Sequence, residues 1–333
     1  MAAYTTIDNP ELYFQTKIYT GTGSSQAYTL DGDENMQPDM VWIKSRGDAY
    51  SHRLYDAVRG VQKYVAPDNS NVEATDTNGL TAFGSDGFTL GSAAESNENT
   101  TTHVAWCWKE TADAGFDMVL YTGTGSAHTI SHSLSAKPGF FILKSRSRVA
   151  NGQVWHNKLS ADSKILYLPT THAEQEHGDI HNSTQPTSSV FTVGSASESN
   201  DDDETYIAYL WAEKQGFSKF GSYTGNGNAD GTFVYTGFRP AWIMIKNRGA
   251  TASWVMYDNK RYTYNKGGTA ATGLRADTNA AEDTSEDGIS FLSNGFKLMA
   301  TGTPTNSSGG TYVYMAYAEQ PFVNSNGVPC NAR

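Results

Sequence analysis

Several stretches of this chain gather side chains that could do chemistry. The segment "HAEQEHGDIH" sets His172, His177 and His181 among Glu174, Glu176 and Asp179, all residue types that can ligate zinc. The spacing fits neither the His-Glu-x-x-His helix nor a Cys/His knuckle, and the segment reads as a loop with surface histidines. Carboxylates crowd "DGDEN" (31–35), "SNDDDE" (199–204) and "AAEDTSEDG" (280–288), where calcium could find oxygen ligands. None of the three has the twelve-residue EF-hand pattern, so they read as solvated loops. No metal site and no cofactor is expected.

A second set recurs. Lys44 with Arg46, Lys144 with Arg146 and Lys246 with Arg248 each place two cations two residues apart on a strand. Such a pair could grip an anionic group. The simpler expectation is a structural ion pair with the polar residue about twelve positions on: Asp56, Asn157 or Asp258. Aromatic residues pose a third question. Trp42, Tyr55, Trp155, Trp254 and Tyr257 could fill a β core or stack on sugars, with Trp155, Trp254 and Tyr257 the candidates for glycan stacking. There is no Gly-x-Ser-x-Gly elbow or Cys/His signature, and no carboxylate pair stands out for glycoside hydrolysis. The expectation is a protein that is not an enzyme.

These residues sit in a repeated frame. "YTGTG" at 19–23 recurs at 121–125, and as "YTGNG" at 223–227, a step of 102 residues each time. A phosphate loop would have to follow a strand and open a helix, whereas here strand-like text follows, so the motif reads as a tight turn. Each copy leads to "PDMVWIKSR", "PGFFILKSR" or "PAWIMIKNR" and closes on "THVAWCWKE", "TYIAYLWAE" or "TYVYMAYAE". A repeat this long is a whole domain rather than a solenoid unit. The units span 11–110, 116–214 and 217–320, flanked by an N-terminal arm (1–16) and a C-terminal tail (321–333). In "THVAWCWKE", Val104, Trp106 and Trp108 share one face while Ala105 and Cys107 share the other. The fold class is therefore all-β, three tandem β-sandwich (jelly-roll-like) domains of about 100 residues, with short joints that make neighbours touch.

The 333 residues carry a formal charge of -11, which argues against a nucleic-acid partner. No apolar run is long enough for a membrane span, and no secretory leader is visible. Cys107 and Cys330 do not form a disulfide framework.

The combination "NPELYFQTKIYTGTGSSQAYTLDGDENMQPDMVWIKSR…HRLYDAVRG", "DGFTLGS…HVAWCWK" and "YVYMAYAEQPFVNSNGVP" resembles a repeated domain of virion proteins from marine tailed bacteriophages. The resemblance implies a β-rich virion component assembled in the host cytoplasm, a tail or baseplate fibre or adhesin, with capsid decoration as the alternative and a carbohydrate-binding module as the second. Its partners would be other virion proteins, a homo-oligomer (a trimer first) and host surface polysaccharide. The arm and tail would be the docking segments. The middle unit departs most, with "SRSRVANG" and "VWHNKLS" against "SRGDAY" and "YDAVRG".

Overall fold

The computed structural model describes residues 4–261, 265 and 271–330. The strand order of the large sheet is triplicated exactly. In the first unit a six-stranded antiparallel sheet runs Phe14–Thr20, Thr102–Trp108, Met40–Ser45, Arg53–Asp56, Lys63–Val65, Ala74–Thr75. The second unit repeats that order with Phe116–Thr122, Thr205–Trp211, Phe140–Ser145, Gln153–His156, Lys164–Tyr167 and Gln175–Glu176. The third does so with Ser218–Thr224, Thr311–Pro321, Phe238–Asn247, Val255–Asp258, Ala271–Arg275 and Asp283–Glu286. The first and last long strands of each unit lie side by side, which returns the chain to its starting point.

A smaller sheet covers one face of each large one: Gln26–Tyr28, Gly87–Leu90 and Leu80–Gly84 in the first unit, His128–Ser131 with Val190–Val193 in the second, and Phe233–Tyr235, Gly295–Leu298 and Ile289–Leu292 in the third. Each unit is thus a two-layer β structure, as the period-two patterning requires. The described helices are single turns such as Ala94–Asn97 and Ser197–Asn200, and none is long and apolar enough to cross a membrane.

Alternation along "THVAWCW" assigns the two faces. Ala105 and Cys107 join Val41, Ile43, Tyr55, Leu80 and Phe88 in a core between the first unit's two sheets. Val104, Trp106 and Trp108 point the other way, into a core shared by all three units with Phe140, Tyr209, Trp211, Trp242 and Tyr317. Strands such as Met40–Ser45 are consequently buried on both faces. Rings from different units meet in the middle, Trp108 with Trp242 at 5.6 Å and Phe14 with Tyr317 at 5.0 Å between centroids. The units therefore do not form a row of beads. Their large sheets enclose one central core, and the third unit touches the first as well as the second.

The register pairs Phe14 with Trp108, Phe116 with Trp211 and Ser218 with Tyr317, so both joints between units leave from the same end of the body. Arm and tail meet there too. Tyr4 donates to the Gly237 carbonyl at 3.0 Å, Ile7 is buried in the central core, and the backbone N–H of Ser325 donates to Asp8 at 2.7 Å. The expected docking arm is thus, from Tyr4 onward, folded onto the third unit, because its apolar residue is worth more buried than exposed. Residues 1–3 and 331–333 lie outside the described residues.

Candidate functional site

The Gly-x-Gly turn explains itself once its partner is seen. Tyr19, Tyr121 and Tyr223 donate their hydroxyls to the carbonyls of Ser96, Ser199 and Thr305 at 2.6, 2.8 and 2.6 Å. The next residues of those partners, Asn97, Asn200 and Asn306, are fully buried. Each amide accepts from a turn N–H (Thr22, Thr124 or Asn226) and donates to a carbonyl inside its unit (Gly91, Gly194 or Ala300). The second glycine of each motif has positive φ, +63° at Gly23, +67° at Gly125 and +63° at Gly227. At the first, a Cβ on Gly21 would lie 2.1 Å from the Glu98 carbonyl oxygen. The motif is a clamp that holds the sheet's opening strand to the segment before its closing strand. The three asparagines were visible in the recurring "ESN", "ESN" and "PTN" text, but their role needed the fold.

The Lys-x-Arg pairs divide their labour. The expected bridge from Lys44 to Asp56, and from Lys246 to Asp258, is not formed. Lys44 sits near one end of its strand, whereas Asp56 faces Met40 at the other, roughly 13 Å along the sheet. Lys44 instead donates to the carbonyls of Ser45 and Asp48 at 2.8 and 3.1 Å, Lys144 to Ala150 at 2.5 Å, and Lys246 to Thr171 at 2.9 Å and to Ala252. Burial pulls each ammonium from 10.5 down to about 8.

The arginines reach across to the neighbouring unit. Arg46 pairs with Glu282 at 2.7 Å, Arg146 with Glu73 at 2.8 Å and Arg248 with Glu174 at 2.9 Å. At each contact the glutamate's own N–H donates to the arginine's carbonyl: Glu282 to Arg46, Glu73 to Arg146 and Glu174 to Arg248, at 2.9, 2.8 and 2.9 Å. First unit grips third, second grips first and third grips second, so the three latches close a ring. Burial raises the Glu73 carboxyl, but the hydrogen bond from Arg146 and the charges of Arg59 and Arg146 outweigh it and hold it below its ordinary range. Glu174 and Glu282, weighed as metal ligands, are therefore latch residues.

The acidic partner of each unit also differs from expectation. Asp56 and Asp258 pair with Arg59 and Arg261, both at 2.6 Å and fully buried. Each then accepts a hydrogen bond from the next unit: Tyr209 to Asp56 at 2.7 Å and Trp106 to Asp258 at 3.0 Å. The sheet register puts His156, not Asn157, at the equivalent place, since Met40, Phe140 and Trp242 face Asp56, His156 and Asp258. Asn157 is exposed. His156 accepts from the Lys158 N–H through Nδ1 and so donates through Nε2 to the Tyr314 carbonyl at 3.1 Å. The middle unit thus replaces an ionic contact with a neutral one. His52 and Trp254 also hydrogen-bond across a boundary, to the Arg275 and Tyr167 carbonyls, where the middle unit has Gly152 beside a small cavity of about 20 Å³.

Trp155, Trp254 and Tyr257 are at most 2% exposed, as are Trp42 and Tyr55. Their rings are core, so no sugar can stack on them. Several of the calcium and zinc candidates are engaged within the protein. Asp31 pairs with Lys17, Asp201 with Arg148, and His177 shares a hydrogen bond with Tyr167, while His181 is buried beside Phe141 and Trp155. Among the described residues no three His, Cys, Asp or Glu side chains are grouped to hold a metal ion. Both cysteines are free.

No curated protein matches the chain. A family model does match, from Asn9, which caps the first short helix, to Pro321 at the end of the last long strand, and so takes in all three units of the ring. The chain belongs to the family described as Domain of unknown function (DUF7483), matched over residues 9–321.

Proposed function

We propose that this chain is a non-enzymatic structural part of a tailed-bacteriophage virion, mounted on the tail or baseplate within a fibre or adhesin. The observation that supports the reading is the closed ring of latches. The arginines that recur in every unit, Arg46, Arg146 and Arg248, are spent on holding units to one another, which is the chemistry of a rigid block. Its two ends also differ. Joints, arm and tail gather at one end, which suits attachment to other virion proteins, while the Gly-x-Gly turns and latch loops lie at the other. The internal ring gives one chain the threefold arrangement that a fibre would otherwise obtain from three.

The test is to locate and count this chain in purified particles by electron cryo-microscopy and quantitative mass spectrometry. A few to a few dozen copies at the tail are expected. Hundreds of copies over the head would replace this reading with capsid decoration, and absence from particles would remove both.

A further inference from the structure

In a triplicated protein the residues common to all units serve the fold, so a polar cluster in one unit alone asks for another explanation. One such cluster lines an open groove of about 450 Å³ at the boundary of the first and third units. Tyr50, Arg53, Tyr64, Asn71 and Glu95 come from the first unit and Asn279 from the third. The Arg53 guanidinium lies 4.1 Å from the centre of the Tyr64 ring and pairs with Glu95 at 2.6 Å. Arg53 is 8% exposed, and its buried Nε–H meets no acceptor in the protein. An unmet guanidinium donor is costly unless something serves it.

The other units lack the set. Ile43, Leu143 and Ile245 face Arg53, Gln153 and Val255, so the fold accepts an amide or an alkyl group at this position. The second unit's "SESN" retains the glutamate as Glu198 but without the arginine to pair with it, and the third unit's "TPTN" has Pro304 in its place.

We propose that this groove binds a neutral saccharide of mono- to disaccharide size. The lining carries one positive and one negative group, already paired, so it offers no net charge to a phosphate or acidic sugar. It does offer tyrosine rings for the C–H face of a sugar, and a guanidinium, a carboxylate and amides for its hydroxyls. The volume lies within the range of small-molecule sites. This binding goes beyond the mechanical role, and its failure would leave that role standing.

The test is saturation-transfer NMR and calorimetry on the full chain with glucose, galactose, mannose, N-acetylglucosamine and their disaccharides, with glucuronate and inorganic phosphate as charged probes. At least one neutral sugar is expected to bind. Arg53→Gln, which installs the middle unit's residue, and Asn279→Ala at the exposed lip should each weaken it about tenfold or more. Should Arg53→Gln not fold, as judged by thermal melting, Asn279→Ala decides alone. The proposal is overturned if no neutral sugar binds up to about 50 mM, if binding survives the substitutions unchanged, or if phosphate or glucuronate binds better than every neutral sugar.

Discussion

Arg46 and Glu282 stand 236 residues apart in the chain and meet through two nitrogens and two oxygens, at 2.7 and 3.1 Å. Glu282 also receives Arg261 at 3.0 Å, so one carboxylate joins the first unit to the third and braces the third internally. Its side chain is 9% exposed. Replacing it with Gln removes the carboxylate that Arg46 pairs with and leaves Arg261 with Asp258 alone, and should cost about 2–4 kcal/mol. Urea unfolding of Glu282→Gln, Arg46→Gln and the double variant measures this, and a coupling energy near zero would mean the latch does not hold the ring.

The asparagine clamps should be as costly to remove. Asn97 accepts from Thr22 and Tyr28 and donates to Ser24 and Gly91, all at 3.0 Å or less. Asn97→Ala strands several buried groups, and a loss of about 3 kcal/mol or more is expected by chemical denaturation.

The middle unit offers the opposite experiment. Gly152 lines the small cavity, and a Cβ built there would find Leu168 and Ile142 at 3.7 and 3.8 Å, ordinary contact distances. Gly152→Ala should therefore stabilise the protein by about 0.5–1 kcal/mol, read as a higher melting temperature.

Two histidines make stability depend on acid. His52 accepts from the Trp42 indole through Nδ1 and donates through Nε2 to the Arg275 and Thr278 carbonyls, and His156 is saturated in the same way. A second ring proton would face another N–H. Burial and, for His52, the Lys44 charge lower their folded values from 6.5 to about 3 and about 4. Their contribution is thus complete above pH 6.5 and is lost as pH falls toward the folded values, by up to about 1.4 kcal/mol per pH unit for each ring. Unfolding free energies from pH 7 to 4 should show this slope, reduced in His156→Gln.

Glu110 works in the other direction. Burial, with Asp117 and Asp39 nearby, raises its carboxyl from 4.5 to about 7. A raised acid contributes stability that is full below pH 4.5 and lost as pH climbs through about 7. Glu110→Gln should therefore gain stability relative to wild type at pH 8 and not at pH 4.5, in paired melts at the two values.

The strands and their two faces were legible because a period-two pattern is local: Trp106 and Cys107 declared opposite sides before any partner was known. The repeat marked the units for the same reason. What stayed hidden was long-range. Lys44 and Asp56 look like partners along the chain, yet pairing with Met40 carries Asp56 to the far end of the strand. The displacement of Asn157 by His156 is a register effect of one residue, which inverts the facing of a side chain and which local text does not encode. The aromatics at Trp155 and Tyr257 could have faced either way until the second layer was placed.

Covalent linkage of three similar units has a consequence for stoichiometry. Three identical chains assembled in this way would carry the same residue at every corner, so Arg53 could not exist without two copies of itself. In the single chain, Arg53, Gln153 and Val255 occupy corresponding sites. Each corner is free to diverge while the latches keep the assembly in fixed proportion, and a body built by repetition can bear one specialised face.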